Sequence, residues 1–390
     1  MSDEQIGQGE QAEPEPALAG GKETFQSLTN LDNWETLDGF FETCDERLLI
    51  DVRAGLEWRR QLREKLLADP NFKDHVKRLS PELQAWAKEQ LFGGAVCAVD
   101  GTMSIIHSTS GGRARIGVVA TSYKADKIER VVYVSYRQLT DPVTDPILYF
   151  KKLKAVNTSS SLFMRAVMAY SERELALRRN EQWKFVHGEL VPYELRTGLG
   201  RTHALPQCLE LGARLITSKN AIGVVEGSED IDLLNAVEML DRFEYLEARG
   251  LDHDLTVYLL GEPDPDNPGH RLRGAHFNPL DEGRFKDFVN EYATQIRIGI
   301  FKVGLKPYIF QAHRDNFDKA AALVMMDASL QPLRGFPLLL DYADQICTRH
   351  LAGRDFEKQI HFKTARFGIE ALGYEIDPRK TRRSVLNQSV

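Results

Sequence analysis

Three strand-like apolar runs succeed one another between residues 95 and 136 with only short turns between them, and this constrains the fold more than any other feature of the chain. The first, Ala95-Val96-Cys97-Ala98-Val99, ends at Asp100 and continues through Ile105-Ile106. The second covers 113–122 around Ile116 and Val118-Val119, and the third covers 129–136 around Val131-Val132-Tyr133-Val134. Gly111-Gly112 and Lys124-Ala125-Asp126-Lys127 supply the turns. Strands joined this closely pair antiparallel, because a parallel return needs a crossover of a dozen or more residues.

Beyond residue 136 the apolar period changes. A helix is expected from Thr158 to about Arg179, then a fourth strand at Trp183-Lys184-Phe185-Val186, ending at His187-Gly188. A helix over 205–216 and a fifth strand over 222–225 come next. Three antiparallel strands, then helix, strand, helix, strand is the order of a ribonuclease-H-like fold. The expected class is α/β, a mixed sheet with antiparallel first three strands, flanked by helices. Residues 232–250 read as a further helix, 261–270 as a loop, 296–301 and 306–310 as late strands, and 317–326 and 336–351 as closing helices.

Upstream, 31–91 reads as helical, with Ser80-Pro81-Glu82 starting a helix that has proline at its first position. The expected organisation is an acidic disordered tail (1–24), a helical N-terminal region (25–92) and a main domain (93–372) with an insertion around 231–290. A basic tail (373–390) ends the chain. No apolar run approaches the roughly 20 residues of a membrane span, so no membrane partner is expected. Four scattered cysteines without metal spacing fit a cytoplasmic protein. The net charge of −7 gives no global footprint for nucleic acid, so any such binding must use local clusters. Lys151-Lys152-Lys154, Arg113 with Arg115, Arg196 with Arg201, and the tail Arg379-Lys380-Arg382-Arg383 are the candidates, the tail foremost with four charges in five residues.

Five acidic or imidazole positions could carry chemistry. Asp100-Gly101 taken alone is most simply a hairpin turn. A carboxylate ending a buried strand, however, needs a compensating partner, either a turn hydrogen bond or a cation. Phasing the helix from Thr158 on Phe163, Met164, Val167, Tyr170, Leu175 and Leu177 puts Glu174 near the middle of the buried side and Glu172 at its edge, beside Arg165. His187 ends the fourth strand; neutral imidazole suits Mn²⁺ or Zn²⁺ better than Mg²⁺, which prefers oxygen. Asp344 shares a face with Leu340 and Cys347 in the closing helix, after a start at Gly335-Phe336-Pro337. Carboxylates from separate elements can hold two divalent ions that stabilise the attacking and leaving oxygens of a phosphodiester displacement. Phosphate-loop and dinucleotide fingerprints are absent, which argues against an NTPase or a dehydrogenase.

Together these pieces resemble the NurA nuclease family. Val99-Asp100-Gly101-Thr102 is similar to its first-strand Asp-Gly-Ser motif, and the helix with Glu172 and Glu174 lies where the family has its glutamate. Phe185-Val186-His187-Gly188-Glu189-Leu190 is similar to its Asp-Gly-Ser-Leu motif, with His187 in place of the aspartate. Ile222 to Ser228 is similar to the next strand, with Glu226 where a lysine is usual. Gly335 to Asp344 is similar to the terminal Tyr-Pro-x-x-Leu motif, with Phe336 for the tyrosine and Asp344 for a histidine. A second register would use Glu210 and Glu226 as the carboxylates. The resemblance implies catalytic and metal-binding roles for Asp100, Glu174 or Glu172, His187 and Asp344, with Mn²⁺ or Mg²⁺ as cofactor. It further implies DNA as substrate, a homodimer, and a HerA-type hexameric ATPase as partner. The Asp-to-His and His-to-Asp departures are either compensatory or the mark of a subunit that has lost cleavage and serves as a docking platform.

Overall fold

In the computed structural model, the described residues are 29–34, 36–68, 73–108, 111–124, 127–136, 145–196, 204–226, 240–249, 279–351, 362–363 and 365–366. The acidic tail, Arg201, the 261–270 loop and the basic cluster Arg379, Lys380, Arg382 and Arg383 lie outside them. The chain divides into two units, Met1–Gln61 and Leu62–Val390. Helix α1 (Leu37–Ala68) begins in the first unit, where it exposes Leu37, Phe41, Leu48, Leu49 and Leu56.

The second unit is built on one nine-stranded mixed sheet. Its elements are β1 (Val76–Arg78), α2 (Pro81–Gly93), β2 (Val96–Ser108), β3 (Gly111–Ser122), β4 (Ile128–Tyr136), α3 (Pro146–Leu177), β5 (Trp183–His187), α4 (Tyr193–Arg196), α5 (Leu205–Thr217) and β6 (Ala221–Val225). Next come β7 (Glu244–Arg249), α6 (Pro279–Tyr292), β8 (Ile296–Phe301), β9 (Tyr308–His313), α7 (Phe317–Ala328) and α8 (Leu338–Ile346). The spatial order is β1-β7-β8-β9-β6-β5-β2-β3-β4. The β2-β3-β4 meander is antiparallel, while β5 runs parallel to β2 and β6 parallel to β5. That half of the sheet has the ribonuclease-H-like arrangement expected from the order of apolar runs; β7, β8 and β9 extend it antiparallel beyond β6.

Three local expectations are corrected. Helix α3 starts at Pro146, not Thr158: the Asp145 side chain accepts from the Ile147 and Leu148 amides, and proline sits in the first turn. Within 232–250, read as helical, residues 244–249 form β7, since Tyr245 and Leu246 are buried between flanking strands rather than along one helical stripe. The helical reading of 31–91 likewise missed β1, whose three residues are too few to show a period. The helix at 81–93 begins as expected, with the Ser80 hydroxyl accepting from the Leu83 amide.

Both faces of the sheet are covered. On one, α2, α7 and α8 pack with Ala98, Phe185, Val224 and Phe310; on the other, α3, α5 and α6 pack with Val99, Val186 and Ile296. Successive strand residues point to opposite faces, so Ala98 and Asp100 belong to the α7/α8 side and Val99 and Gly101 to the α3 side. Strand β2 pairs with β5 only as far as Val99 opposite Val186. Past that point β2 keeps only β3 as a partner and runs on beyond the ends of β5 and β6. A crevice beyond the carboxyl ends of parallel strands is where open α/β sheets place their ligands.

Candidate active site

A cleft of about 300 Å³ opens there, lined by Asp100, Gly101, Arg165, Met168, Glu172, Arg173, His187, Gly188, Glu194 and Asp344. The topology thus joins residues from β2, α3, the end of β5 and α8. Asp100 is 3% exposed, and its Oδ1 accepts from the Gly101 amide at 2.8 Å and meets His187 Nδ1 at 3.1 Å. Its Oδ2 is buried without a hydrogen-bond partner. Most buried polar atoms are satisfied, and one that is not calls for a reason.

Glu172 supplies the second carboxylate. It descends from α3 over Gly101, so closely that a β-carbon at Gly101 would collide with Glu172 Oε1 and with Met168 Cγ. Only glycine leaves room for a carboxylate against this backbone. Burial pushes the Glu172 carboxyl up, Arg173 draws it down and the Asp100 charge raises it again, leaving it at about 7. Burial by itself would lower the His187 imidazole; the Asp100 hydrogen bond and the charges of Asp100, Glu172 and Glu226 outweigh that and lift it to about 9. Asp344 is partly buried and its carboxyl is pushed up by burial, then by Asp100.

Of the expected site residues, the structure brings Asp100, Glu172, His187 and Asp344 to one cleft and leaves Glu174 out. Glu174 lines a separate cleft beside Tyr170 and Arg130, and bonds Arg178 Nε at 3.0 Å and Arg214 Nη1 at 3.1 Å. The phase differs because, apart from Met164, small residues set the sheet-facing side of α3. Ala166, Ala169 and Ala176 are buried, whereas Phe163 is 37% exposed. Glu172 lies three residues after Ala169 and four before Ala176, on the same stripe. Alanines bring the helix close to the strand, and that spacing was the overlooked signal.

Glu210, the alternative helix carboxylate, is exposed on α5 and does not line the cleft; Glu226 reaches its edge, with Oε2 3.8 Å from His187 Nε2. Arg334 Nη2 meets Glu226 at 2.6 Å and its other nitrogen pairs with Asp341, so a row of alternating charges continues from Asp100 to α8. Arg115 is half-buried on β3 opposite Ser104 and does not line the cleft; the Arg113 side chain is outside the described set.

Sequence reasoning also passed over Arg173. This arginine is 1% exposed, pairs with Glu172 Oε2, and donates to the carbonyls of His187 (2.8 Å), Glu189 (2.5 Å), Leu190 (3.4 Å) and Ala169 (3.4 Å). It fastens α3 to the loop after β5, where Gly188 takes a φ of +79° that favours glycine.

Among the described residues, no three His, Cys, Asp or Glu side chains form a ready-made metal cage. The donor set still suits a hard divalent cation: the orphaned Asp100 oxygen and a Glu172 carboxyl raised by burial, and further by the Asp100 charge, are both relieved by a cation.

No family model and no curated protein matches the chain. Solved structures do. The chain resembles the NurA nucleases in structure. The NurA nuclease from Sulfolobus solfataricus aligns at 10% identity over 85% of this chain and 98% of its own, with a TM-score of 0.44. NurA bound to dAMP and manganese aligns at 11% over 86% and 97%, with a TM-score of 0.47. Human endonuclease V aligns at 16% over 76% and 98%, with a TM-score of 0.27. Among the described residues, no helix is long and apolar enough to cross a membrane.

Proposed function

We propose that this protein is a divalent-cation-dependent nuclease that hydrolyses DNA phosphodiester bonds at the cleft between β2, α3 and α8. The observation that supports this most is the buried Asp100 Oδ2 left without a partner beside a second buried carboxylate, Glu172. Asp100, Glu172 and Asp344 would hold the cation, Mn²⁺ or Mg²⁺, with His187 at their side. A cation so held supplies Lewis-acid polarisation of a phosphoryl oxygen.

The chain's own residues do the remaining work. Asp100 Oδ1 orients the His187 ring, whose Nε2 faces the cleft edge at Glu226. In the metal-free protein the Asp100 contact favours a protonated His187, and a ring in that state can donate to a phosphate oxygen. Arg165 at the mouth is tied to Glu194 only at 3.7 Å and is free to turn to a flanking phosphate. Arg173 holds Glu172 and the 187–190 loop in register.

The motif resemblance extends the proposal to a homodimer working with a HerA-type hexameric translocase in DNA end processing or anti-phage defence. An ATPase that feeds the strand would explain how a chain of net charge −7 manages with few basic contacts of its own. The test is cleavage of linear duplex DNA with Mn²⁺, alone and with the translocase, compared with Asp100→Asn. Cleavage by the wild type and none by the folded variant is expected; equal activity in the two, or none in either, would remove the proposal. A docking subunit without cleavage is the second reading. It is favoured by one observation, that Arg173 already neutralises Glu172. It expects stable assembly with the ATPase and no Mn²⁺ binding that depends on Asp100.

A further inference from the structure

We infer that Arg173 restricts this cleft to a single divalent cation, taking permanently the side of Glu172 that would otherwise bridge to a second one. The inference rests on the cation reading above and deepens it. A carboxylate that bridges two metal ions through both of its oxygens offers one to each. Here Glu172 Oε2 faces the Arg173 guanidinium, and only Oε1, on the Gly101 side, remains.

The guanidinium is not a mobile counter-ion that a metal could displace. It is buried at 1% exposure, and both Nη atoms and Nε are committed to carbonyls of Ala169, His187, Glu189 and Leu190. Swinging it away would strand an arginine charge and four carbonyl contacts in the interior. Arginine does not deprotonate in proteins, so pH offers no escape either. A second dication on that side would also sit against a fixed positive charge. On the Asp100 side, Oδ1 is held by the Gly101 amide and His187, leaving Oδ2. One free oxygen on each of two buried carboxylates, with Asp344 opposite on α8, makes one hard-cation site rather than two. Arg173 is therefore a positioning residue whose charge stands in for the second metal.

The stoichiometry can be read without catalysis. Metal-free full-length protein is titrated with Mn²⁺ in the absence of DNA, by calorimetry and by electron paramagnetic resonance of the free ion. One Mn²⁺ per chain, abolished by Asp100→Asn, is expected. Two ions per chain, both lost in Asp100→Asn, would overturn the inference while leaving the nuclease reading intact; no binding would overturn both. Arg173→Gln keeps a hydrogen-bonding side chain but drops the charge. If it folds, it should bind the first Mn²⁺ about tenfold more tightly, since a like charge nearby is removed. A merely structural arginine would instead give weaker binding, and that result would count against the inference. Should this variant not fold, the wild-type stoichiometry decides.

Discussion

Asp100→Asn separates the two roles of this aspartate, because asparagine keeps one and removes the other. Asn Oδ1 can still accept from the Gly101 amide and His187 Nδ1, as Asp100 Oδ1 does now. The amide nitrogen replaces an oxygen that has no partner and lies close enough to Glu172 for their charges to couple. An N–H group at that position is still a buried polar atom, so the gain is the relief of the Asp100 charge against Glu172, about 1–2 kcal/mol. Losing the charge from the His187 contact costs about 1 kcal/mol, as charge-assisted bonds are roughly twice as strong as neutral ones. The metal-free variant is therefore expected to be as stable as the wild type or about 1 kcal/mol more so. With Mn²⁺ the order inverts. At a hundredfold excess over Kd, a ligand stabilises the native state by about 2.7 kcal/mol. At about 2 °C per kcal/mol in a domain of this size, that is a rise of about 5 °C in wild-type Tm and none in the variant. Thermal unfolding with and without Mn²⁺ reads both numbers. A variant that loses more than about 2 kcal/mol without metal, or that gains the same 5 °C with it, would refute the reasoning.

The same geometry sets the remaining expectations. Glu174→Ala should leave Mn²⁺ affinity unchanged and cost less than about 1 kcal/mol in urea unfolding, because its partners are surface arginines. Mn²⁺ must displace the Glu172 proton, so its affinity in calorimetry should rise about tenfold per pH unit below 7 and flatten above it. The same raised carboxyl means the metal-free native state keeps a proton the unfolded chain has released, so stability should fall as the pH climbs from the ordinary carboxylate range through 7. Asp327, buried under α8, accepts from Tyr123 Oη and from the Leu339 amide at 2.9 Å. Asp327→Ala should lose about 3 kcal/mol in urea unfolding, a helix cap plus a stranded hydroxyl. Arg165→Ala should weaken DNA binding and lower the salt slope of log K by about one, measured by fluorescence anisotropy across a salt series.

The sequence by itself determined the order of the main elements from β2 to β6 and the strands of the meander, because period-two apolar runs and short turns are local signals. It marked Asp100 and His187 by the same means, each at the end of an apolar run. Asp344 was legible from the apolar stripe of its helix, shared with Leu340 and Cys347. It did not decide which glutamate of α3 faces the sheet. That choice depends on how close the helix packs, and a stripe of alanines looks unremarkable until the strand beneath it is seen to carry Gly101. Strand β7 was missed for a related reason, since its burial comes from β1 and β8, distant in sequence and invisible to any local period. Arg173 was hidden by its type: an arginine reads as surface until four backbone carbonyls and a buried carboxylate are found around it. Local chemistry fixed what each segment is, and only the tertiary structure decided which charges are buried against one another, because burial and Coulomb coupling depend on distance in space rather than along the chain.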